Sequence, residues 1–399
     1  MLSQILLVLV AIASGYQLFS LVCAWMFARW RRRELARGSR VDPGRLPPVT
    51  ILKPLHGAVP ETYDNLASVC RIDYPSLQIV FGVADLDDPV VPIVNRVRRD
   101  FPQREIDLVV SDRSIGSNAK VSNLANMLEH ARHEVLVIAD SDIRVPENYL
   151  TALVPYLEQP GAGLVTCMYR AVGGSSFASQ LEALFINTDF GPMVTVARQV
   201  ETQSYAFGAT ICLRRAVLAE IGGLEALADY LADDYQMGYL TVAAGYHSVL
   251  APIVVETVLD LDTMDDVFAH QLRWARTYRI CRPRGYLAAF VTHSTMWSCA
   301  YLIAAHARPG AWAIFAAAVG TRMLAGGLIA DRVLGVKDIW RRLWLVPFKD
   351  LFISTIAALA FVGNTVRWGD TRYVVSPDGR MAPVLGAEER PAESDGATA

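Results

Sequence analysis

The first 28 residues contain no charged side chain, and a cluster of arginines follows them directly. This run is longer than the roughly 20 residues that a membrane-spanning helix needs. Because a backbone inside a bilayer must satisfy its own hydrogen bonds, a single segment of this kind folds as a helix. A signal peptide would carry positive charge before its apolar stretch, whereas Arg29 and Arg31–Arg33 come after it. The positive-inside rule therefore predicts that the residues after this helix lie in the cytoplasm and that Met1 lies outside.

The chain becomes apolar again towards its C-terminus. Three stretches share a near absence of charge: residues 285–307, 310–330 and 343–366. The first two are joined by a short turn and flanked by basic segments, which predicts a two-helix hairpin that enters and leaves from the cytosol. The third contains Lys349 and Asp350, which are costly in hydrocarbon. A helix at the interface and a helix packed against the other helices both remain open for it.

Between these apolar regions, residues 48 to about 260 alternate between strand-like and helix-like patterns. The predicted strands share short apolar runs and lie at residues 49–52, 77–84, 106–110 and 135–139. A helix is expected at residues 90–100. Such alternation with short connections is typical of α/β proteins with a doubly wound, mostly parallel sheet. No GxGxxG motif follows the first strand and no Walker-type loop occurs, so a dinucleotide-binding Rossmann enzyme loses its main support.

Acidic side chains form three clusters along the chain. They are Asp85-Leu86-Asp87-Asp88, Asp140-Ser141-Asp142 and Asp233-Asp234. The first two clusters directly follow predicted strands, and residues just past strand carboxyl ends line the ligand crevice of an open α/β sheet. Carboxylates gathered there repel one another unless a divalent cation neutralises them, and hard cations choose oxygen ligands. The clusters therefore predict a metal-bound diphosphate, such as a nucleotide sugar, as the ligand.

Charge and cysteine usage narrow the class of protein. The net charge of −3 over 399 residues indicates no broad basic surface, so no nucleic acid is expected as a partner. The hydrophobic content of 53% exceeds that of a typical soluble protein. The six cysteines show no CxxC or Cys/His ligand spacing, which favours reduced packing residues in a protein that faces the cytosol.

Six motifs occur in a fixed order along the chain. They are Ile51–Leu55, Asp85–Pro89, Gly116–Leu124, Asp140–Asp142, Ala232–Tyr235 and Gln271–Trp274. In this order they resemble the ceramide glucosyltransferase family, over nearly the whole chain. Residues 139–144, 207–213, 230–235 and 272–277 are most similar to the bacterial hopanoid-biosynthesis-associated glycosyltransferases. The resemblance implies a GT-A fold, a UDP-sugar donor, a divalent metal such as Mg²⁺ or Mn²⁺, inversion at the anomeric carbon and a lipid hydroxyl as acceptor.

The first two acidic clusters supply the predicted metal and donor ligands. Asp142 is the predicted metal ligand, together with Asp140, which is similar to the family's second conserved aspartate beside the donor ribose or the metal. An Asx turn after the strand is the structural alternative. Asp85 is expected to receive the uracil or ribose, and Asp88 matches the family's first aspartate motif. Acids before Pro89 can instead cap a helix that has proline in its first turn.

Lys120 and the third acidic cluster complete the predicted chemistry. Lys120 lies just inside a helix, where its ammonium and free backbone N–H groups would hold the diphosphate; a solvated lysine is the alternative. Asp234 is the predicted general base, because an inverting transfer needs a carboxylate to take the proton of the acceptor hydroxyl. Asp233 is expected to turn away or to tune the site, since consecutive side chains on a helix face different directions. A plain acidic pair at a helix start is the alternative for both.

An Arg-Trp pair follows the acidic clusters. Arg273 offers a bidentate contact to the diphosphate, and Trp274 offers a wall for the acceptor pocket. His270 stands where the family usually has glutamine or arginine, so a ligand contact and a structural role both remain open. Residues 177–196 are either part of the core or an interfacial helix that lets a lipid approach Asp234.

The predicted organisation has five parts. They are a transmembrane helix at 1–28, a basic cytoplasmic linker at 29–47, a GT-A domain at 48–284, a membrane region at 285–366 and a partly disordered cytoplasmic tail at 367–399.

The predicted function is a hexosyltransferase of the bacterial inner membrane whose catalytic domain faces the cytoplasm. The hopanoid likeness implies UDP-N-acetylglucosamine as donor and a hopanoid such as bacteriohopanetetrol as acceptor. The alternative is a sphingolipid acceptor, ceramide, with UDP-glucose. A processive polysaccharide synthase would need more helices for a polymer channel than the three or four candidate spans. A noncatalytic membrane scaffold would have no reason to place acids after strands and an Arg-Trp pair behind them.

Overall fold

The computed structural model describes residues 1–38, 44, 46–174, 176–369 and 371–384. Its centre is a mixed sheet, which in the described residues has eight strands in the order β3-β2-β1-β4-β7-β6-β8-β5. The strands of this sheet are β1 (Val49–Pro54), β2 (Leu77–Val83), β3 (Glu105–Val110), β4 (Val135–Ile138), β5 (Ile143–Arg144), β6 (Ala162–Val172), β7 (Ile211–Arg214) and β8 (His247–Val258). A second, smaller sheet contains β9 (Thr365–Trp368), β10 (Thr371–Val375) and β11 (Met381–Pro383).

Helices cover both faces of the large sheet and form the two apolar ends of the chain. Those up to the end of the sheet are α1 (Leu2–Gly38), α2 (Thr62–Cys70), α3 (Val91–Asp100), α4 (Ala119–Leu128), α5 (Tyr149–Leu153), α6 (Phe177–Phe185), α7 (Gly191–Val200), α8 (Arg215–Glu220) and α9 (Asp233–Ala243). Those that follow are α10 (Met264–Cys281), α11 (Pro283–Val291), α12 (Ser294–Ala304), α13 (Pro309–Ile329) and α14 (Val346–Leu359). A π-helical turn, Ile186–Phe190, joins α6 to α7.

The predicted α/β class is confirmed, and the first four strands form a parallel part of the sheet. Strands β1 to β4 run parallel to one another, whereas β7 is antiparallel to β4 and to β6. Side chains alternate between the two faces, so Val135 and Val137 of β4 enter one core cluster and Leu136 and Ile138 enter the other. Burial on both faces explains why this strand is an unbroken apolar run in the sequence.

The N-terminal helix is longer than the predicted span. It continues from Leu2 to Gly38 and therefore includes the first part of the segment that we expected to be a linker. Arginine favours helices, and Arg31 is held by hydrogen bonds to the backbone oxygens of Pro252 at 2.9 Å and Val333 at 2.9 Å. These tertiary contacts carry the helix past the end of the apolar run. The remainder of the linker lies mostly outside the described residues.

The C-terminal region differs from a simple two-helix hairpin. Helices α11 and α12 are bent by 50° at a short break, and α13 follows them. In the described residues, two helices, α1 and α13 with its continuation to Leu334, are long and apolar enough to cross a membrane, or up to three if the bent pair is one span. Helix α14 has 14 residues, and its Lys349 is fully buried. Packing against the other helices is thus the alternative that fits the third apolar stretch.

The chain after the membrane region forms a sheet where the sequence suggested a tail. Strands β9, β10 and β11 are antiparallel neighbours between Thr365 and Pro383. The rest of the tail, residues 385–399, for which partial disorder was expected, lies outside the described residues. The small sheet packs through Val366, Val375 and Met381 against Leu231, two residues before the third acidic cluster. It therefore belongs to the surroundings of the predicted site.

Candidate active site

A buried lysine holds the turn that carries Asp140 and Asp142. Lys53 lies in β1, beside β4, and is fully buried. Its ammonium donates to the backbone oxygens of Asp140 at 2.6 Å and Ile143 at 2.8 Å. Burial lowers the pKa of Lys53 to about 8, although the Asp142 and Asp140 carboxylates act in the opposite direction. Sequence reasoning missed this role, for which the signal was a charged residue inside a buried apolar strand.

Lys120 lies between carboxylates of two different clusters. Asn118 caps α4 by accepting a hydrogen bond from the Val121 N–H at 3.1 Å, so Lys120 begins the first turn of the helix. Its ammonium lies 2.7 Å from Asp140 Oδ1 and 3.0 Å from Asp233 Oδ2. Burial opposes the charged form, but Asp140, Asp233 and Asp234 raise the pKa of Lys120 above its ordinary value. The lysine is therefore an ion-paired group of the site rather than a solvated side chain.

Helix α9 begins with the third acidic cluster and directs its two carboxylates to different partners. Asp233 is buried and contacts Lys120, so of the two expectations for it, turning away is wrong and tuning the site remains. Asp234 accepts hydrogen bonds from the N–H groups of Gly208 at 2.8 Å and Tyr235 at 2.7 Å. Burial, followed by the charge of Asp233, raises the pKa of Asp234.

Gly208 allows the acidic clusters to approach one another. A Cβ atom at this position would lie 2.7 Å from Asp140 Oδ2, closer than side-chain atoms normally come. The backbone of Gly208 therefore fits between Asp140 and Asp234. A glycine is needed here for close approach rather than for an unusual backbone angle.

Asp140 and Asp142 are the residues that could hold a divalent metal arriving with a diphosphate. Asp142 accepts a hydrogen bond of 2.5 Å from Thr257 Oγ1 of β8. Burial raises the pKa of Asp140 to about 6 against the lowering effect of Lys120, and the Asp142 charge raises it further. Among the described residues, no three His, Cys, Asp or Glu side chains converge as a complete protein cage. Mg²⁺ is commonly held by one or two carboxylates together with substrate phosphates and water, which is what this pair offers.

The Arg273 guanidinium extends from α10 over the small C-terminal sheet and lies within electrostatic range of the acidic clusters. It lies over the Trp368 ring at 5.5 Å from the centroid and, in the part of the chain that the structure describes, makes no hydrogen bond or ion pair. Burial lowers the pKa of Arg273, and the charges of Glu182 and Asp234 oppose this shift. An arginine held beside carboxylates but not bonded to them can bind an incoming diphosphate.

A buried glutamate organises the rest of the Arg-Trp motif. Glu182 of α6 is fully buried and accepts hydrogen bonds from Gln271 at 2.7 and 2.8 Å. His270 Nδ1 lies 2.8 Å from the same carboxylate, and its ring contacts Trp274 at 4.6 Å between centroids. These contacts support the structural alternative for His270. Sequence reasoning assigned no role to Glu182, although an acid within an apolar segment was the signal.

Asp85 and Asp88 lie after β2, outside the contacts that join Lys120 to the other acids. The Asp88 carboxylate accepts from the Gly57 N–H at 3.0 Å and the Val90 N–H at 2.9 Å. Asp85 is exposed and accepts from the Asp87 N–H at 3.0 Å. The bond of Asp88 to Val90 forms a turn before α3 rather than a cap of that helix, whose N-cap residue is Val90. Asp85 and Asp88 both stay predicted donor contacts.

The small C-terminal sheet fixes the segment before Asp233. The N–H of Met381 donates to the Asp229 oxygen at 2.7 Å, and the Leu231 N–H donates to the Gly379 oxygen at 3.1 Å. Arg380 lies over the Tyr230 ring at 5.3 Å. The same segment binds the loop before α4, since Asn118 Nδ2 donates to the Tyr230 oxygen at 2.8 Å. The sheet therefore positions both Lys120 and the acids of α9.

Removing residues 365–399 should lower transfer activity by about 10²-fold, because displacement of catalytic groups by about 1 Å has effects of that size. Removing residues 385–399 leaves β9–β11 whole and is the matched control, with activity expected to stay near that of the full chain. Initial rates of both truncations, normalised to folded protein, would check this. Equal activity of the two truncations would contradict a positioning role for the sheet.

Comparison with known proteins identifies the family of the chain. The model of glycosyl transferase family 21 matches residues 5–381. Ceramide glucosyltransferase 1 of Caenorhabditis elegans is 25% identical over 198 residues, which cover 49% of this chain and 42% of that protein. The ceramide glucosyltransferase of Candida albicans is 33% identical over 114 residues, covering 26% and 21%. The chain thus matches less than half the length of these curated relatives.

Solved structures show a more distant likeness. A mannosyltransferase from Pyrobaculum calidifontis in complex with GDP-Man and Mn²⁺ is 19% identical, with 89% of this chain and 99% of that chain covered and a TM-score of 0.48. TarS from S. aureus in complex with UDP-GlcNAc is 12% identical, with 85% and 99% covered and a TM-score of 0.37.

Proposed function

Because the chain belongs to glycosyl transferase family 21, we propose that it is an inverting membrane glycosyltransferase that moves one sugar from a UDP-sugar to a lipid hydroxyl. The observation that carries the proposal is the contact of Lys120 with both Asp140 and Asp233, beside Asp234 at the start of α9. These groups come from three separate parts of the chain. A structural protein has no evident need for buried acids of this density around one lysine.

Asp234 acts as the general base in this proposal. The acceptor oxygen forms a bond to the anomeric carbon while the bond from that carbon to the UDP oxygen breaks, and its electron pair leaves with UDP. The proton of the acceptor hydroxyl moves to Asp234. The Gly208 and Tyr235 N–H groups hold the carboxylate in place, and its raised pKa makes it a stronger base.

The positive groups of the site stabilise the leaving UDP. Lys120 at the start of α4 and the guanidinium of Arg273, to which no described residue is bonded, bind diphosphate oxygens, where negative charge grows during the reaction. Asp140 and Asp142 would hold Mg²⁺ or Mn²⁺. Such an ion, when bound, neutralises charge on the diphosphate. Trp274 lies against Phe185 and forms a wall of the acceptor side.

The proposed donor is UDP-N-acetylglucosamine, and the proposed acceptor is a hopanoid such as bacteriohopanetetrol. Both are supported by the resemblance of four sequence motifs to hopanoid-biosynthesis-associated glycosyltransferases. UDP-glucose and ceramide are the second candidates, supported by the names of the curated relatives. Purified protein should be incubated with a panel of UDP-sugars and both lipids, and the products should be analysed by mass spectrometry. We expect one dominant pair with a single sugar added; polymeric products would favour a processive synthase instead.

The catalytic domain is proposed to face the cytoplasm of a bacterial inner membrane, because Arg29 and Arg31–Arg33 follow the uncharged run. Protease added outside intact spheroplasts should leave the segment with Asp140 uncut, whereas permeabilised spheroplasts should lose it. A tag before Met1 should be cleaved in both samples. Cleavage of the catalytic domain in intact spheroplasts would overturn this orientation.

A further inference from the structure

A cavity of about 80 Å³ lies among the apolar helices, away from the acidic clusters of the active site. Helix α1, the π-helical turn with α7, the break between α11 and α12, α13 and α14 all contribute to its wall. Its lining includes polar and charged residues, among them Gln17, Asp189, Ser294, Arg322 and Asp350. Burying polar side chains in such a region costs free energy, so their presence commonly indicates a function.

The charged groups beside the cavity neutralise one another. Arg322 lies 2.7 Å from Asp189 and 3.1 Å from Asp350, and it is 4% exposed. Lys349 is fully buried, lies 2.6 Å from Asp350 and also contacts Asp189. Two acidic side chains therefore pair with two basic ones, and the net charge of these four groups is zero. A ligand of this cavity needs no charge of its own.

Other polar groups of the lining have no partner. Ser294 is 1% exposed, and its hydroxyl makes no hydrogen bond to any described residue. The side-chain amide of Gln17 is likewise without a hydrogen bond in the described chain, although the residue is only 5% exposed. Buried polar groups are normally satisfied, so unpartnered ones that line a cavity point to a bound hydrogen-bonding group.

The size of the cavity suits the polar end of a lipid. At about 10–15 Å³ for each water-sized group, it holds roughly five to eight such groups. That is too small for a sugar nucleotide but sufficient for a few hydroxyl or amide groups. Helices α1 and α13, which are both long and apolar enough to cross a membrane, contribute to the lining, so hydrocarbon chains can remain in the bilayer.

Aromatic side chains connect the cavity to the active site. Phe185 lines the cavity and packs against Trp274 with ring centroids 6.2 Å apart. Phe190, at the end of the π-helical turn, packs on Phe207 at 5.0 Å, and the residue after Phe207, Gly208, binds Asp234. π-Helical turns are frequently found at functional sites. The cavity therefore lies behind the aromatic wall of the proposed acceptor site.

We infer that this cavity binds the non-reacting hydroxyl or amide groups of a neutral lipid acceptor, with Ser294 and Gln17 as hydrogen-bonding partners. The identification of the bound lipid as the acceptor rests on the proposed function, but lipid binding itself does not require turnover. Both candidate acceptors, a polyol-tailed hopanoid and ceramide, are uncharged and carry more than one polar group. A lipid phosphate would add negative charge beside Asp189 and Asp350 and is disfavoured.

The test is direct binding of bacteriohopanetetrol and of ceramide to the full-length protein in detergent, measured by native mass spectrometry. Ser294→Ala and Gln17→Leu should each weaken binding of the preferred lipid about threefold to tenfold, the effect of one lost hydrogen bond. The affinity for the UDP-sugar should not change. Ser298→Ala is the matched control, since Ser298 is buried one turn further along α12 and bonds the Thr295 oxygen at 2.9 Å.

Weakened lipid binding in Ser294→Ala supports the inference even if no sugar is transferred, a result that would count against the proposed function alone. Unchanged binding in both cavity variants would overturn the inference. So would a wild-type protein that binds neither neutral lipid, or tighter binding of phosphatidylglycerol that the two variants abolish. Ser294→Ala removes only one buried atom, so its fold is expected to be retained, and thermal unfolding would verify this.

Discussion

Replacement of Asp234 by asparagine is expected to lower lipid glycosylation by about 10²-fold or more, the scale of a missing general base. Asparagine has nearly the same shape, and its oxygen can still accept the Gly208 N–H that Asp234 binds at 2.8 Å. What it loses is the ability to take the acceptor proton. The affinity for the UDP-sugar, measured by isothermal titration calorimetry, should therefore stay within a few-fold of wild type.

Two further variants make this result specific. Asp233→Asn should lower kcat less than Asp234→Asn, because the Asp233 carboxylate is paired with Lys120 and is not the proposed base. Asp112→Asn changes an exposed acid that follows β3 and should behave like the wild type. Near-normal turnover in Asp234→Asn would remove Asp234 from the mechanism.

Asp142→Asn is expected to abolish the increase in UDP-sugar affinity that Mg²⁺ or Mn²⁺ provides. A metal ion can contribute several kcal/mol to the binding of charged phosphates, so the loss should be about 10²-fold or more. The fold should persist, since an asparagine can keep a hydrogen bond with Thr257, the 2.5 Å partner of Asp142. Calorimetric titration of UDP-sugar with and without added metal measures this difference.

The same measurement on Asp112→Asn should show the full metal effect. Excess chelator should reduce wild-type activity to the level of Asp142→Asn, and renewed addition of Mg²⁺ or Mn²⁺ should restore the wild type only. Full wild-type activity in excess chelator would show that the acidic clusters hold no metal that matters for the reaction.

The sequence could predict the large sheet and the acids at its edge because both follow from local patterns. Strand β4 is a short apolar run, and Asp140 and Asp142 come directly after it. A strand buried on both faces must end at an exposed edge, and polar residues there are readily recognised. The position of Asp142 at this edge could therefore be predicted without knowing which distant residues it contacts.

Other parts of the site depend on contacts between residues far apart in the chain. The ion pair of Lys120 with Asp233 and the bonds of Lys53 to the Asp140 turn join separate elements. The contact of Glu182 with Gln271 spans 89 positions. No local pattern specifies such partners, since an isolated lysine or glutamate has the same sequence signature whether it is solvated or buried.

The C-terminal end shows a different reason for failure. Strands β9 to β11 are short, and β10 has three exposed residues among its five, so apolar alternation is weak. They are stabilised by the segment before Asp233, through Leu231 and Met381. Lys349 and Asp350 were ambiguous for a similar reason, because their burial is acceptable only with Arg322 and Asp189 as partners.

The most direct test of inverting lipid glycosylation is the anomeric configuration of the product. Wild-type protein in nanodiscs should be given an α-linked UDP-sugar and its preferred lipid, and the purified glycolipid should be examined by NMR. A single displacement with Asp234 as base predicts one sugar per lipid in a β linkage. An α-linked product would contradict this mechanism, and the absence of any lipid-linked sugar across the donor and acceptor panel would contradict the proposed function itself.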